Sequence, residues 1–405
     1  MLMTQPRPEA PVRPQRIESH LDAIEAARRL AASFSEGAIE RDRDRRLPFD
    51  EIAAYTASGL GTLTVPRAHG GPELGLRTLV DVFEIISAAD ASLGQIPQNQ
   101  FGVVALLRDI GTPEQQSRFF ADILAGHRIG NAGPEKGRRA LTHNKTQLRR
   151  LDGKLVLTGE RFYSTGAIFA HWIPTRAADE EGRPVQVWVR HDAPGVRVED
   201  DWRSFGQRTT ASGTVVFDHV AVEPADIIPV WKFADRPGLA GPISQLIQAA
   251  IDSGIARAAL DDAAAFVRTR ARPWMDSGLE SVQDDPTIIH SFGALIADYH
   301  AAQAVLYEAA ATLDAIGSRP VTAESSAAAS VAVAEAKILT TQSALAAAET
   351  LFDLAGAAST RAGHALDRHW RNARVHTLHD PVRWKYHLIG NHQLNGALPA
   401  RHQWN

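Results

Sequence analysis

The chain of 405 residues contains no cysteine. That absence removes disulfides, iron–sulfur ligation, zinc–thiolate sites and a cysteine nucleophile together. It fits a reducing cytoplasm, where the protein is expected to reside. Long apolar runs are missing too. No stretch approaches the roughly 18 residues needed to cross a bilayer, so no membrane association is expected. Neither sign of charge is in excess: 43 Lys and Arg stand against 47 Asp and Glu, for a formal net charge of −4. Such a balance offers no broad electrostatic footprint for nucleic acid. No Gly-x-Gly-x-x-Gly follows a candidate strand, so no built-in nicotinamide site is visible.

What is present falls into blocks of different texture. Residues 1–16 are rich in Pro and Arg without an apolar centre, and are expected as a disordered tail rather than a secretory signal. Residues 17–126 read as a helical domain, with apolar residues three and four apart in LDAIEAARRLAASF, PFDEIAAYTASGL, LRTLVDVFEIISAAD, QNQFGVVALLRDI and PEQQSRFFADILAG. The charged run RDRDRR is expected to be the solvated last turn of the first helix. Across residues 127–235 the period changes to short β-branched runs bounded by Gly, Asp and Pro, which predicts a small barrel or sandwich. LRRLDGKLVLTG reads as a hairpin turning at Asp152-Gly153. Residues 236–405 are Ala-rich and helical, with three patterns near thirty residues long. These predict a four-helix bundle with apolar faces broad enough for an oligomer interface.

Near the C-terminus, RVHTLHDPVRWKYHLIGN reads as a polar loop feeding a helix, with His376, His379 and Asp380 just before Pro381. Clustered polar residues before a helix are more often caps than catalysts. His376-x-x-His379 would need a third protein ligand to hold a metal, and none is evident.

The order helical domain, β domain, long-helix bundle resembles the acyl-CoA dehydrogenase superfamily. Three segments resemble it locally: GLGTLTVPRAHGG (59–71), GERFYSTGAIFAHWI (159–173) and GTVVFDHVAVEPADII (213–228). The resemblance implies an α+β multidomain fold of N-terminal helices, a central β-barrel or sandwich and a C-terminal four-helix bundle. In the dehydrogenases a glutamate in a Glu-Gly-Thr loop removes the substrate's α-proton. Here His379 and Asp380 occupy that place, and AAIDSGIARAAL on the first long C-terminal helix, the other known location of the base, offers no Glu and only Asp252. HDPVRWKY, NAGPEKG, FYSTG and FGQRTTASGT are similar to a narrower branch, the reduced-flavin-dependent two-component monooxygenases that act in sulfur acquisition.

That resemblance implies oxygenation of a small sulfone or thioether through a flavin C4a-peroxide. The cofactor would be FMN, reduced by a separate NAD(P)H:flavin reductase, with FAD as the alternative. Of the superfamily's pyrophosphate loop only Gly356 remains, which favours FMN. Phe162, Tyr163 and Ser164 would face the flavin, with the Ser164 hydroxyl near N5. Asn131 would bond flavin or peroxide oxygens. Trp202 would stand at the entrance, and Asn99 and Gln100 would line the substrate pocket. Arg270 would reach a flavin phosphate in a neighbouring subunit of a homotetramer. His379 is the expected acid or hydrogen-bond donor, oriented by Asp380. Competing structural readings are a core Trp202, a turn-forming Asn131 and a surface Arg270. Competing functions are an FAD-dependent acyl-CoA dehydrogenase with an unorthodox base, an amine N-oxygenase, and a flavin-free scaffold protein.

Overall fold

In the first domain, apolar stripes make the helices and caps end them. A computed structural model describes residues 8–137, 145–402 and 404–405. Helix α1 (His20–Glu36) starts at a capping box formed by Ser19 and Asp22, and Gly37 separates it from α2 (Ala38–Asp44). The charged run is therefore not a solvated end of α1. Arg41 is buried in α2, with its guanidinium 2.9 Å from Asp90 and 3.0 Å from Glu51. A charge so enclosed requires paired acids, and the helical domain folds around this one. Then follow α3 (Phe49–Ala57), α4 (Leu76–Ala89), α5 (Ala91–Gln95), α6 (Gln98–Ile110) and α7 (Pro113–Leu124). The expected disordered tail is also corrected. Residues 1–7 lie outside the described residues, but residues 8–16 are tied down without regular structure. Gln15 N–H donates to the Ala57 carbonyl at 2.8 Å, and His171 Nε2 lies 2.8 Å from the Glu9 carbonyl.

The expected barrel or sandwich takes the form of one seven-stranded sheet. Its strands are β1 (Gln147–Leu151), β2 (Lys154–Arg161), β3 (Trp172–Ala178), β4 (Pro184–Arg190), β5 (Val196–Val198), β6 (Val215–Val222) and β7 (Ile227–Ile228), in the order β5-β6-β2-β1-β3-β4-β7. The β1–β2 hairpin turns through Asp152 (φ 49°) and Gly153 (φ 80°), as its Asp-Gly pair requires. The two halves of the sheet meet at one parallel pair, Gln147 opposite Ala178.

Three long helices follow: α8 (Ala240–Thr269), α9 (Pro286–Gly317) and α10 (Ala323–Ala355), of 30, 32 and 33 residues. Small buried residues such as Ala249 and Ala256 on α8, and Ala336 and Ala344 on α10, let these helices pack closely. The shorter α11 (Asp367–His376) and α12 (Arg383–Asn395) lie against them. The polar segment near the C-terminus differs from expectation here. Arg374 to His376 close α11, and Pro381 precedes α12 by two residues rather than opening it. His376 is thus a helix residue, held there by a buried carboxylate on α8. A continuous apolar core joins the helical domain, the sheet and the bundle.

Candidate active site

A cavity of about 870 Å³ opens where α5 and α6, the sheet, the start of α8 and the α11–α12 turn converge. One wall is aromatic. Phe162 leaves β2, and the chain then turns sharply through Tyr163 (φ 57°) and Gly166 (φ 75°). Positive φ at a tyrosine is a sparsely populated conformation of the kind stored at functional sites. The Phe162 and Tyr163 ring centroids are 4.8 Å apart, and Trp202 lies 6.0 Å from each. Trp202 Nε1–H donates to the Gln207 carbonyl at 2.9 Å, which fixes its indole.

Between Tyr163 and Thr165, both on the cavity wall, the Ser164 hydroxyl is 1% exposed and has no hydrogen-bond partner among the described residues. A buried hydroxyl left unmade costs about 1–3 kcal/mol unless a ligand supplies the bond. Beside it runs a hydroxyl chain. Thr165 Oγ1 is 2.7 Å from Ser212 Oγ, Ser212 is 2.8 Å from Thr210, and Thr210 donates to the Gln207 carbonyl at 3.0 Å. An aromatic shelf with hydroxyl donors along its edge suits a planar heteroaromatic ring system carrying several acceptors.

Two histidines face the cavity on another side, in different states. His376 is fully engaged: Nδ1 donates to Asp252, and Nε2 lies 2.9 Å from Gln95 Oε1 and 2.7 Å from Gln248 Oε1. Burial lowers its pKa, outweighing Asp252, so the ring is neutral with its proton on Nδ1. A half-turn of the Gln248 amide, whose Nε2 is otherwise unsatisfied, gives His376 Nε2 a donor. Asp252 in turn accepts from Lys337 Nζ at 2.7 Å and Thr341 Oγ1 at 2.9 Å. Burial would raise its pKa, but Lys337 and His376 prevail and hold it below the usual carboxylate value. Asp252 is fully enclosed and already accepts from Lys337, Thr341 and His376.

His379 is 30% exposed, and its Nδ1 is 3.3 Å from Asp380 Oδ1, which leaves Nε2 for a ligand. Asp380 is itself buried. Burial opposes its ionisation, but the His379 bond and the Lys337 and Lys385 charges hold its pKa far below the usual range. In its other amide orientation Gln245 also donates to both Asp380 oxygens, at 3.2 and 3.1 Å. Both buried acids therefore serve as orienting anions and neither is poised to take a proton from carbon.

Phe162, Tyr163, Trp202, Asn99, Asn131 and His379 all line this cavity, and Ser164 sits in the chain between the wall residues Tyr163 and Thr165. Asn99 Nδ2 bonds the Thr165 carbonyl at 3.3 Å. Two residues are placed elsewhere. Gln100 is one helical position away and points outward from the cavity, bonding the Gly61 carbonyl and, at 3.1 Å, the Ile129 N–H. Arg270 lies outside the cavity on the surface at the end of α8, 3.2 Å from His364. Sequence reasoning missed the Lys337–Asp252–His376 network and the Thr165–Ser212–Thr210 hydroxyls. Only the second had a local signal, the Ser/Thr-rich stretch FGQRTTASGT.

The fold is shared with known proteins. Models of the acyl-CoA dehydrogenase N-terminal and C-terminal domains match residues 18–127 and 246–384. The chain is 33% identical over 393 residues to a dibenzothiophene monooxygenase of Rhodococcus qingshengii, covering 93% of this chain and 94% of the relative. It is 29% identical over 386 residues to the probable FMNH2-dependent monooxygenase SfnC of Pseudomonas putida, covering 93% and 96%. The crystal structure of FMN-bound TdsC from Paenibacillus sp. A11-2 superposes with a TM-score of 0.90 at 31% identity, covering 95% of this chain and all of that one. The chain belongs to the acyl-CoA dehydrogenase superfamily. Within it, the similarity lies with the flavin-dependent monooxygenases.

Proposed function

We propose that this protein is a two-component monooxygenase that takes FMNH2 from a separate NAD(P)H:flavin reductase and uses O2 to oxygenate a small organosulfur compound. One observation carries the reading: the cavity is lined by an aromatic shelf and by His379, the unsatisfied Ser164 hydroxyl is borne between two of its wall residues, and its nearby buried acids are already committed. A dehydrogenase needs a free carboxylate to abstract a C–H proton, and neither Asp252 nor Asp380 is one. The residues fit FMN: Phe162, Tyr163 and Trp202 would hold its ring, and the Ser164 hydroxyl and Asn131 amide would bond its polar atoms. Bound FMNH2 supplies two electrons and the centre at which O2 reacts, so that one oxygen atom enters the substrate and the other leaves as water.

The protein's own residues control protons and water. His379 Nε2 presents a proton to the developing oxygen charge, while Asp380 fixes the ring through Nδ1. His376 anchors the end of α11 and so positions His379 three residues on. The aromatic wall and the apolar face of α6 exclude solvent that would divert the reaction to hydrogen peroxide. The reading extends to a cytoplasmic homotetramer assembled on the C-terminal bundle, supported by exposed Trp274, Met275 and Ile289. Arg270, at the C-terminal end of α8, would then serve a neighbouring subunit's flavin phosphate.

The test is turnover with FMNH2, 18O2 and a panel of sulfides, sulfones and amines, read by mass spectrometry. One labelled oxygen per product molecule on a sulfur compound is expected. Anaerobic bleaching of bound flavin by acyl-CoAs, with no labelled product, would replace this reading with a dehydrogenase.

A further inference from the structure

We propose that Trp404 is a specificity-determining wall of the cavity, in the arm between α6 and the start of α8, and that the buried Lys385 is the positioning residue that sets this wall and the His379–Asp380 turn together. The oxygenation measured below rests on the monooxygenase reading; the size of ligand admitted does not.

The chain after α12 turns back on the protein and is fastened to it. It leaves the helix through Gly396 (φ 65°), and His392 Nδ1 lies 3.0 Å from the Ala397 carbonyl. Arg401 Nη2 and Nε donate to the Ala234 carbonyl at 2.7 and 3.0 Å, one residue from the lining residue Phe233. The His402 and Asn405 carbonyls lie so close against the first turn of α8 that a Cβ at Gly241 would collide with both. Between these anchors Trp404 reaches the cavity, which Val103 and Leu106 of α6 and Ala240 and Ser244 of α8 also line. A large rigid indole among small and aliphatic side chains decides how long a ligand can be.

Lys385 is the one buried residue among the described residues of α12, and it is flanked by the exposed Trp384 and Tyr386. A helix that meets the bundle through a lysine needs acceptors there. They come from two directions. Lys385 Nζ donates to the Trp404 carbonyl and lies 3.4 Å from Asn405 Oδ1. It also lies 3.6 Å from Oδ2 of Asp380, whose other oxygen is the one beside His379 Nδ1. An ammonium has three donors pointing in different directions, so it can hold the wall and the carboxylate at once. One buried charge thus joins the residue that bounds the arm to the residue that orients the proton donor. With Trp404 displaced, Lys385 loses its backbone acceptor, and the Asp380–His379 pair loses a fixed neighbour.

The test uses dimethyl sulfide and methyl phenyl sulfide with the FMN-loaded protein. Calorimetry gives the binding ratio of the two, and turnover gives sulfoxide and hydrogen peroxide per FMNH2 oxidised. Trp404→Ala is expected to raise binding of methyl phenyl sulfide relative to dimethyl sulfide about tenfold or more, the scale on which an apolar pocket discriminates by carbon atoms. Gly241→Ala, which displaces the segment without altering Trp404 or Lys385, is expected to do the same. Lys385→Met is expected to shift that ratio and also to raise the peroxide share with dimethyl sulfide several-fold, and Lys385→Arg to restore part of both. A residue that only stabilised the fold would lower the amount of active protein and move neither ratio. If Lys385→Met does not fold, Gly241→Ala decides the coupling, because it draws the Trp404 carbonyl away from Lys385 and should raise the peroxide share likewise. An unchanged binding ratio in Trp404→Ala or in Gly241→Ala overturns the wall. An unchanged peroxide share in Lys385→Met overturns the coupling. Wild-type protein that forms no sulfoxide would instead sink the monooxygenase reading, while the binding ratios of the variants still decide the wall and its seat.

Discussion

Lys337 Nζ lies 2.7 Å from Asp252 Oδ2, and both side chains are wholly enclosed between α10 and α8. This pair holds the end of α11 through His376, and thereby the turn that carries His379. It also removes from acid–base service the one acid that the first long C-terminal helix brings near the cavity.

Lys337→Met leaves the Asp252 carboxylate buried with only a neutral histidine and a threonine. A stranded charge of this kind costs about 3–5 kcal/mol. A matching drop is expected in denaturant-induced unfolding, and Asp252→Asn added to Lys337→Met should recover part of it. An unfolding midpoint unchanged in the single variant would mean that the pair does not hold the bundle.

Ser164→Ala removes a hydroxyl that has no partner among the described residues. The flavin-free protein should therefore keep its melting temperature or gain slightly, since no bond is lost. FMN affinity should fall about tenfold, the equivalent of one hydrogen bond of roughly 1.4 kcal/mol. Loss of stability together with unaltered FMN binding would assign Ser164 to the scaffold instead.

His171 ties the N-terminal segment to the sheet. Its Nε2 is 2.8 Å from the Glu9 carbonyl, and its Nδ1 accepts the Arg128 N–H at 2.8 Å. Burial lowers its pKa from 6.5 to about 4. The unfolded chain therefore binds the proton first, so the stabilisation is full above pH 6.5 and is lost as pH falls towards 4. Wild-type protein should lose stability over that window, by at most about 3 kcal/mol. His171→Gln should lose less, and should free residues 8–16 to proteolysis already at neutral pH. Parallel pH profiles for the two proteins would refute the assignment.

How much of this was legible in the sequence depended on whether the signal was local. Asp152-Gly153 announced its hairpin because both residues tolerate positive φ, and the long helices followed from Ala-rich periodicity. The aromatic shelf was visible as FYSTG. Strand β3 was obscured by Pro174 in its middle, which reads as a strand breaker. Arg41 looked like one charge in a solvated run, because its partners Glu51 and Asp90 come together only on folding. Asp252 lies 85 residues from Lys337 and 124 from His376, a separation no spacing rule detects.

The reading that His379 manages the proton in an FMNH2-dependent oxygenation is tested most directly by the yield of oxygenated product per FMNH2 oxidised, in wild type and His379→Ala, with hydrogen peroxide measured alongside. His379→Ala should consume FMNH2 and O2 at near-normal rates while product falls about 10²-fold or more, the scale of losing an acid–base group, and peroxide rises to match. An unchanged yield of product per flavin in His379→Ala would contradict it and leave the His379–Asp380 turn a structural element.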